Sequence, residues 1–300
     1  MISYIGGKAH IGKWIKNYVP LDIETYVETF GGMFWVFFNL DHKYFQKLNH
    51  VVYNDFNPLN HNLMSACQSP QGFLAHLSEP QYEHQQKGIK DTPKEFGEKF
   101  YEFRDEIFAE DYVIHDIFET AAKYAYVLTQ VFSGTAPEKA TFMDYKGVYE
   151  CKLQAFKNKL HDEKWQDKFR RITQTENMDF QEVIEKYDSD YTYFYVDPPY
   201  WKTENYYSAH DFDVDDHERL ALTLKQTKGR WSLSYYRFDL LESWFPKYEY
   251  LWETKEFAKA ASLKKEKTMG EELLILNYEK PFSTLDDFYV QLQDTSEDNE

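Results

Sequence analysis

The stretch Tyr191-Thr192-Tyr193-Phe194-Tyr195-Val196 runs straight into Asp197-Pro198-Pro199-Tyr200, and those last four residues have the makings of a reactive site. The apolar and aromatic run predicts a buried strand, and two prolines end it because neither can donate to a sheet ladder. Asp197 is pushed toward an extended backbone by the proline after it, and Pro198 offers a carbonyl without an N–H of its own. One carboxylate oxygen and one or two backbone carbonyls can then converge on a small donor, while the Tyr200 ring supplies a flat surface at the rim for a heterocycle. Acceptors beside a stacking ring describe a site for an aromatic exocyclic amine. Holding both amine hydrogens draws the nitrogen lone pair out of conjugation and makes it nucleophilic by electrostatic preorganisation, with no strong base required. The plainer alternative is a Pro-Pro turn that ends a strand and leaves its Asp in solvent.

Further segments follow a recognisable order. Ser3-Tyr4-Ile5-Gly6-Gly7-Lys8 opens the chain, Thr25-Tyr26-Val27-Glu28-Thr29-Phe30-Gly31-Gly32-Met33 is a strand-like run with a glycine turn, Val51-Val52-Tyr53-Asn54-Asp55-Phe56-Asn57-Pro58 is a second acidic strand end, and Met178-Asp179-Phe180 precedes the Asp-Pro-Pro-Tyr run. Together they resemble the Dam-like class of adenine-specific DNA methyltransferases, over roughly Met1 to Tyr278 with weaker similarity in the middle. The resemblance implies S-adenosyl-L-methionine as cofactor. It implies catalytic roles for Asp197, Pro198 and Tyr200, and a cofactor site drawn from Tyr4, Gly7, Lys8, Glu28, Phe30, Gly31, Gly32, Asp55, Asp179, Phe180 and Asp197.

Those assignments also have reasons in the residues. Phe30-Gly31-Gly32 lets the backbone approach a ligand where the next helix begins, and a helix N-terminus favours a carboxylate such as that of the methionine moiety. Asp55, at the end of the next strand, is placed to accept from ribose hydroxyls. Asp179 is placed to accept from the cofactor's adenine amine, with Phe180 against the ring; Tyr4 and Lys8 flank a Gly-Gly turn and complete the cradle by resemblance. An isolated Asp at a strand end is equally a turn former or helix cap. One position departs from the family pattern: Phe34 stands where the loop's last glycine is expected, and Thr29 replaces a common proline. Phe34 crowds the methionine end of the cofactor unless its side chain turns into the core, a direction that Trp35, Phe37 and Phe38 make available.

These loops need a frame. Candidate strands are Thr25 to Phe30, His50 to Asn54, Arg171 to Glu176, Tyr191 to Val196, Gly229 to Tyr235, Tyr248 to Thr254 and Glu272 to Tyr278, with helical patterns between most of them. The expected fold is α/β, a doubly wound seven-stranded Rossmann-like methyltransferase sheet interrupted once by a mostly helical insertion. Residues 1–58 and 166–280 form the expected catalytic domain, 59–165 an inserted target-recognition domain with amphipathic helices at Lys94 to Phe108 and Tyr112 to Phe132, and 281–300 an acidic tail. Ser133 to Tyr149 reads as loop.

Composition bounds the rest. Two cysteines, Cys67 and Cys151, and ten scattered histidines give no metal or disulfide spacing, so no metal is expected. Neither a membrane span nor a signal-peptide pattern is present, and the expected location is the cytoplasm of a bacterial or phage-infected bacterial cell. The net charge of −17 opposes a DNA partner unless cations are gathered on one face. Lysines and arginines do gather, at Lys152, Lys157, Lys159, Lys164, Lys168, Arg170 and Arg171 and again at Lys255, Lys259, Lys264, Lys265 and Lys267, although such runs are commonly plain solvated faces. Tyr206, Tyr207, Tyr235 and Tyr236 are candidates to stack on a displaced base, with core packing as the alternative.

The expected activity is therefore methyl transfer from S-adenosylmethionine to the 6-amino group of an adenine flipped out of duplex DNA. Methylation of RNA, cytosine or another amine uses the same chemistry, and an inactive cofactor-binding or DNA-binding module is the alternative from a different class.

Overall fold

The computed structural model describes residues 2, 7–9, 11–86, 88, 93–131, 136–144, 152–201, 212–258 and 269–280. Tyr4, Cys151, Tyr206, Tyr207, Lys259, Lys264, Lys265, Lys267 and the tail 281–300 lie outside the described residues, as do parts of the expected loop from Ser133 to Tyr149.

Seven strands form one sheet: β1 (Thr25–Glu28), β2 (His50–Asn54), β3 (Gln174–Glu176), β4 (Thr192–Val196), β5 (Arg230–Tyr235), β6 (Leu251–Ala258) and β7 (Met269–Leu276). Their order is β3-β2-β1-β4-β5-β7-β6, parallel except for β7, which runs antiparallel to both its neighbours. The sheet is the expected α/β architecture. β1 and β4 lie side by side in its middle, and every residue of β4 is buried. A strand covered on both faces needs a continuous apolar run, which is what Thr192 to Val196 provides. The strand alternation divides the core. Tyr26, Tyr193 and Tyr195 point to one face, while Val27, Phe194 and Val196 point to the other.

Boundaries moved where caps dictate them. The expected strand from Arg171 starts only at Gln174, because the helix Glu163–Arg171, capped by the Asp162 side chain, uses Arg171 as its last residue. The helix expected from Tyr112 begins at Ile117, where the Asp116 carboxylate accepts from the amides of Phe118 and Glu119.

Between β2 and β3 the chain forms the helices Pro58–Cys67, Pro70–Leu77, Lys94–Ile107, Ile117–Thr129, Lys152–His161 and Glu163–Arg171. They share one continuous hydrophobic core with a face of the sheet: Leu63, Phe73, Phe100, Tyr124 and Phe156 belong to the same buried cluster as Tyr26 and Tyr193. Among the described residues no helix is long and apolar enough to cross a membrane.

Candidate active site

From the central pair, the chain winds outward in opposite directions, through β2 and β3 on one side and β5 on the other. A crevice opens at such a switch point, at the carboxyl ends of the parallel strands. Into that edge run Thr29 to Gly32 after β1, Asp55 after β2, Asn177 to Phe180 after β3, Asp197 to Tyr200 after β4 and Tyr236 after β5. Because β7 is antiparallel, it is its beginning that lies there, and Glu272 enters the same edge beside Tyr235 and Tyr236.

Asp197 is the centre of a buried polar cluster. Its Oδ1 is 2.8 Å from the Lys8 ammonium, which is also 3.3 Å from Glu272 and donates to the Tyr200 hydroxyl. That hydroxyl donates in turn to Glu272 Oε1 at 2.6 Å. Burial pushes the Asp197 carboxyl up to about 6, with Lys8 pulling it down and Glu272 pushing it further up. Lys8 is delivered by a tight local structure. Its carbonyl accepts from the amides of Ile11 and Gly12, and Gly12 packs where a Cβ would meet the Asn39 side chain at 2.8 Å. Gly7, just before it, is exposed.

Tyr200 departs from expectation. It is only 8 % exposed, its ring stacked on Tyr235 at 5.5 Å and met edgewise by Tyr236 at 4.3 Å. The prolines before it, both buried, steer it inward so that its hydroxyl reaches Glu272; the ring is a wall and not a rim platform. Tyr236, 39 % exposed, is the neighbouring ring that meets solvent. Tyr235 is buried and hydrogen-bonded to His217.

The glycine turn is held by its neighbours. Gly31 abuts Tyr53 so closely that a Cβ would lie 2.4 Å from the ring, and Gly32 has a left-handed φ of 48°. Phe34 takes the same left-handed region, φ 55°, that the expected glycine would have used. Its ring is fully buried, stacked on Phe37 at 4.7 Å and edge-on to Tyr53 at 5.2 Å. The side chain has turned into the core, so the crowding feared from the sequence does not arise.

Glu28 is buried beneath this loop, where its Oε1 accepts from the Tyr26 hydroxyl at 2.7 Å and the Phe37 amide at 2.9 Å. Burial raises it to about 8. It faces inward and ties β1 to the helix Trp35–Asn39. Asp55 accepts from the Gly32 amide at 2.7 Å, the Asn57 amide at 2.8 Å and Asn60 Nδ2 at 3.1 Å, and burial pushes it up to about 6. Asn60 in turn accepts from the Tyr124 hydroxyl at 2.8 Å, which links an inserted helix to the glycine turn.

Asp179 is the N-cap of the helix Phe180–Tyr187 and is gripped by both terminal nitrogens of Arg219, at 2.6 and 2.9 Å. The guanidinium lies 4.0 Å from the centre of the Phe180 ring, whose neighbour Phe30 stacks on it at 5.7 Å. Asn54, buried, fastens the three strand ends together: it donates to the carbonyls of Thr29 and Met178 and accepts from the Met178 amide.

A model of the D12 class N6 adenine-specific DNA methyltransferase family matches residues 4–269. The chain belongs to that family. It is similar to the Type II methyltransferase M.CviBI of Paramecium bursaria Chlorella virus NC1A, 22 % identical over 232 residues that span 77 % of this chain and 80 % of the viral enzyme. A looser likeness in structure is to the rRNA methyltransferase aviRa from Streptomyces viridochromogenes, with a TM-score of 0.34 and 12 % identity over 88 % of this chain and 81 % of that one.

As a D12-class methyltransferase, the chain carries its Asp-Pro-Pro-Tyr run at the end of β4, and its glycine turn, Asp55 and Asp179 follow the ends of the neighbouring parallel strands β1, β2 and β3. Three residues escaped sequence reading: Glu272, Arg219 and Asn54. Asn54 carried a signal, as a polar residue ending an otherwise apolar strand. The first basic cluster is largely consumed within the enzyme. Lys168 donates to the carbonyls of Phe38 and Leu40, Arg171 pairs with Asp167 at 2.9 Å, and Lys159 lies over the rings of Trp35 and Trp165. Lys164 and Arg170 remain exposed. Among the described residues no group of three His, Cys, Asp or Glu side chains could hold a metal ion.

Proposed function

We propose that this methyltransferase moves a methyl group from S-adenosyl-L-methionine to the 6-amino nitrogen of an adenine extruded from duplex DNA at a specific sequence. The observation that carries the reading is the Asp197 carboxylate at the end of β4, adjoining the glycine turn of β1 across the switch point.

The residues bordering the crevice suit the cofactor. The half-buried Phe30 offers a ring beside it, backed by the buried Phe180 that stacks on it at 5.7 Å where the sequence placed Phe180 itself against the cofactor; Asp55 holds the Gly32 amide in place, and Phe56, 43 % exposed just after β2, offers a surface for the adenine. The buried Thr29 Oγ1, one residue before Phe30, has no hydrogen-bond partner among the described residues and is available to a ligand donor or acceptor. Asp55 would hold the ribose and Asp179 the adenine amine. When bound, S-adenosylmethionine supplies a methyl carbon activated by a sulfonium.

The protein's own part is to bind and aim. Extrusion of a paired adenine costs a few kcal/mol, offset by stacking and by hydrogen bonds to the freed Watson–Crick edge. Asp197 accepts one hydrogen of the amine and the Pro198 carbonyl the other, and the nitrogen lone pair is directed at the methyl carbon. Transfer would break the methyl–sulfonium bond, leaving a neutral thioether and a methylated amine cation that sheds one proton, with the Asp197 carboxylate as its acceptor. Residues 59–165 read the target and 1–58 with 166–280 carry the chemistry, with 281–300 as an appended tail. Incubating the protein with labelled S-adenosylmethionine and DNA, RNA or protein in separate arms tests the substrate class; label in DNA alone is expected, and label in RNA alone would overturn the assignment.

A further inference from the structure

The beginning of β7 places an acid where a leucine would be easier to bury. Glu272, Leu274 and Leu276 point to one face of the sheet, and Glu272 is 1 % exposed. Burying a carboxylate costs several kcal/mol unless cations and donors compensate, so its partners identify its task. They are Lys8 at 3.3 Å and the Tyr200 hydroxyl at 2.6 Å, the two groups that contact the amine-binding end of the site. Lys8 thereby bridges two carboxylates, with Asp197 at 2.8 Å on its other side.

We propose that Glu272 is a positioning residue of the transfer site: through Lys8 and the Tyr200 hydroxyl it fixes the direction of the Asp197 carboxylate that receives the target amine. The inference rests on the reading of Asp197 given above. Three donors on the Lys8 ammonium and one on the tyrosine match the acceptors around them, so a single geometry satisfies all four side chains. Glu272 keeps Lys8 from collapsing onto Asp197 alone, and Tyr200 is held with its ring flat on Tyr235. Asp197 keeps a carboxylate that is shared and not spent, with 16 % of its side chain still exposed.

The groups that act on Asp197 come from every neighbouring element: Lys8 before the first helix, Glu272 on β7, Tyr200 after β4, Tyr195 on β4, Glu28 on β1 and Tyr236 after β5. Lys8 and Glu272 push its protonation in opposite directions, and this gives a test that a merely structural role does not pass. The full-length protein labelled with carboxyl-13C aspartate is titrated by NMR without DNA, the Asp197 resonance being assigned by its loss in Asp197→Asn. Glu272→Gln, which keeps a group able to bond Tyr200, is expected to lower the Asp197 midpoint by roughly one pH unit, and Lys8→Met to raise it by a similar amount. In single-turnover methylation of unmethylated duplex DNA, Glu272→Gln is expected to shift the acid limb to lower pH. It should reduce kcat on the order of ten- to a hundredfold with KM for DNA within about twofold. Midpoints unchanged in both variants, or displaced in the same direction, overturn the proposal, as does a folded Glu272→Gln with the wild-type acid limb. Opposite displacements of the midpoint, in a wild type that methylates no DNA, uphold the linkage among the four side chains and remove the reading of their substrate instead.

Discussion

Lys8 and Asp197, far apart in the sequence, form a buried ion pair of 2.8 Å at the carboxyl edge of the sheet. The pair ties Lys8 to the end of β4, and the lysine pulls the protonation of Asp197 down.

The first prediction follows from that protonation. Asp197 is raised to about 6 from an ordinary 3.8, chiefly by burial. The native state therefore binds more protons than the unfolded chain between those values. The stability this contributes is present below about 3.8 and is lost as pH rises through about 6. Asp197→Asn abolishes that loss, and relative to wild type it is expected to gain stability between pH 4.5 and 7.5, on the order of 2 kcal/mol, while losing methyl transfer. Urea unfolding of both proteins at the two pH values measures the difference; equal changes for wild type and variant would count against it.

Phe34 gives an ordering of stabilities. Its left-handed backbone costs roughly 1–2 kcal/mol, and its buried ring returns about 3–5 kcal/mol. Phe34→Gly relieves the strain and loses the ring, so a net loss of about 2 kcal/mol is expected. Phe34→Ala keeps the strain and is expected to fall about 1 kcal/mol further. Thermal melts would contradict the account if the glycine variant were the most stable of the three.

The path Tyr124–Asn60–Asp55–Gly32 joins the helices between β2 and β3 to the glycine turn after β1 by hydrogen bonds of 2.8, 3.1 and 2.7 Å. Tyr124→Phe leaves the ring in the core and removes the first of them. Isothermal titration with S-adenosylmethionine is expected to show binding weakened about fivefold, near 1 kcal/mol, the usual worth of one hydrogen bond. Unchanged affinity would show that the turn is held without the insertion.

Tyr236 is the exposed ring beside Tyr200. Tyr236→Ala is expected to raise KM for DNA by about tenfold, since stacking on a base is worth about 1–3 kcal/mol, and to leave cofactor affinity and melting temperature nearly unchanged. An effect on S-adenosylmethionine binding larger than on DNA would move the ring to the other ligand's site.

Much of this was legible in the chain. The strands were legible because β1, β2, β4 and β7 carry short apolar runs and β5 alternates, and the loops after β1 to β4 carry residues whose chemistry is local: prolines that stop a strand, glycines that turn, acids at strand ends. What stayed hidden depended on pairing. Glu272 follows Glu271 at a strand start, and nothing along the chain sets it apart until the antiparallel pairing of β7 with β5 places it next to Tyr236. Asp179 and Arg219 lie on separate helices that only the packed fold brings together. Tyr200 was placed at the rim because a tyrosine after two prolines has no visible partner in its own segment; its partners are Lys8, Tyr235 and Glu272. The lysine cluster from Lys152 to Arg171 looked cationic along the chain, but Asp167 and the carbonyls of Phe38 and Leu40 consume much of it.

The central claim is that Asp197 presents an adenine amine for methylation, and one measurement reaches it directly. Duplex DNA lacking methylated bases is incubated with S-adenosylmethionine and either wild type or Asp197→Ala, digested to nucleosides and analysed by mass spectrometry. The account predicts N6-methyladenine with wild type and none with the variant, at matched folded protein. Methylcytosine as the sole product, or equal N6-methyladenine from both proteins, would contradict it.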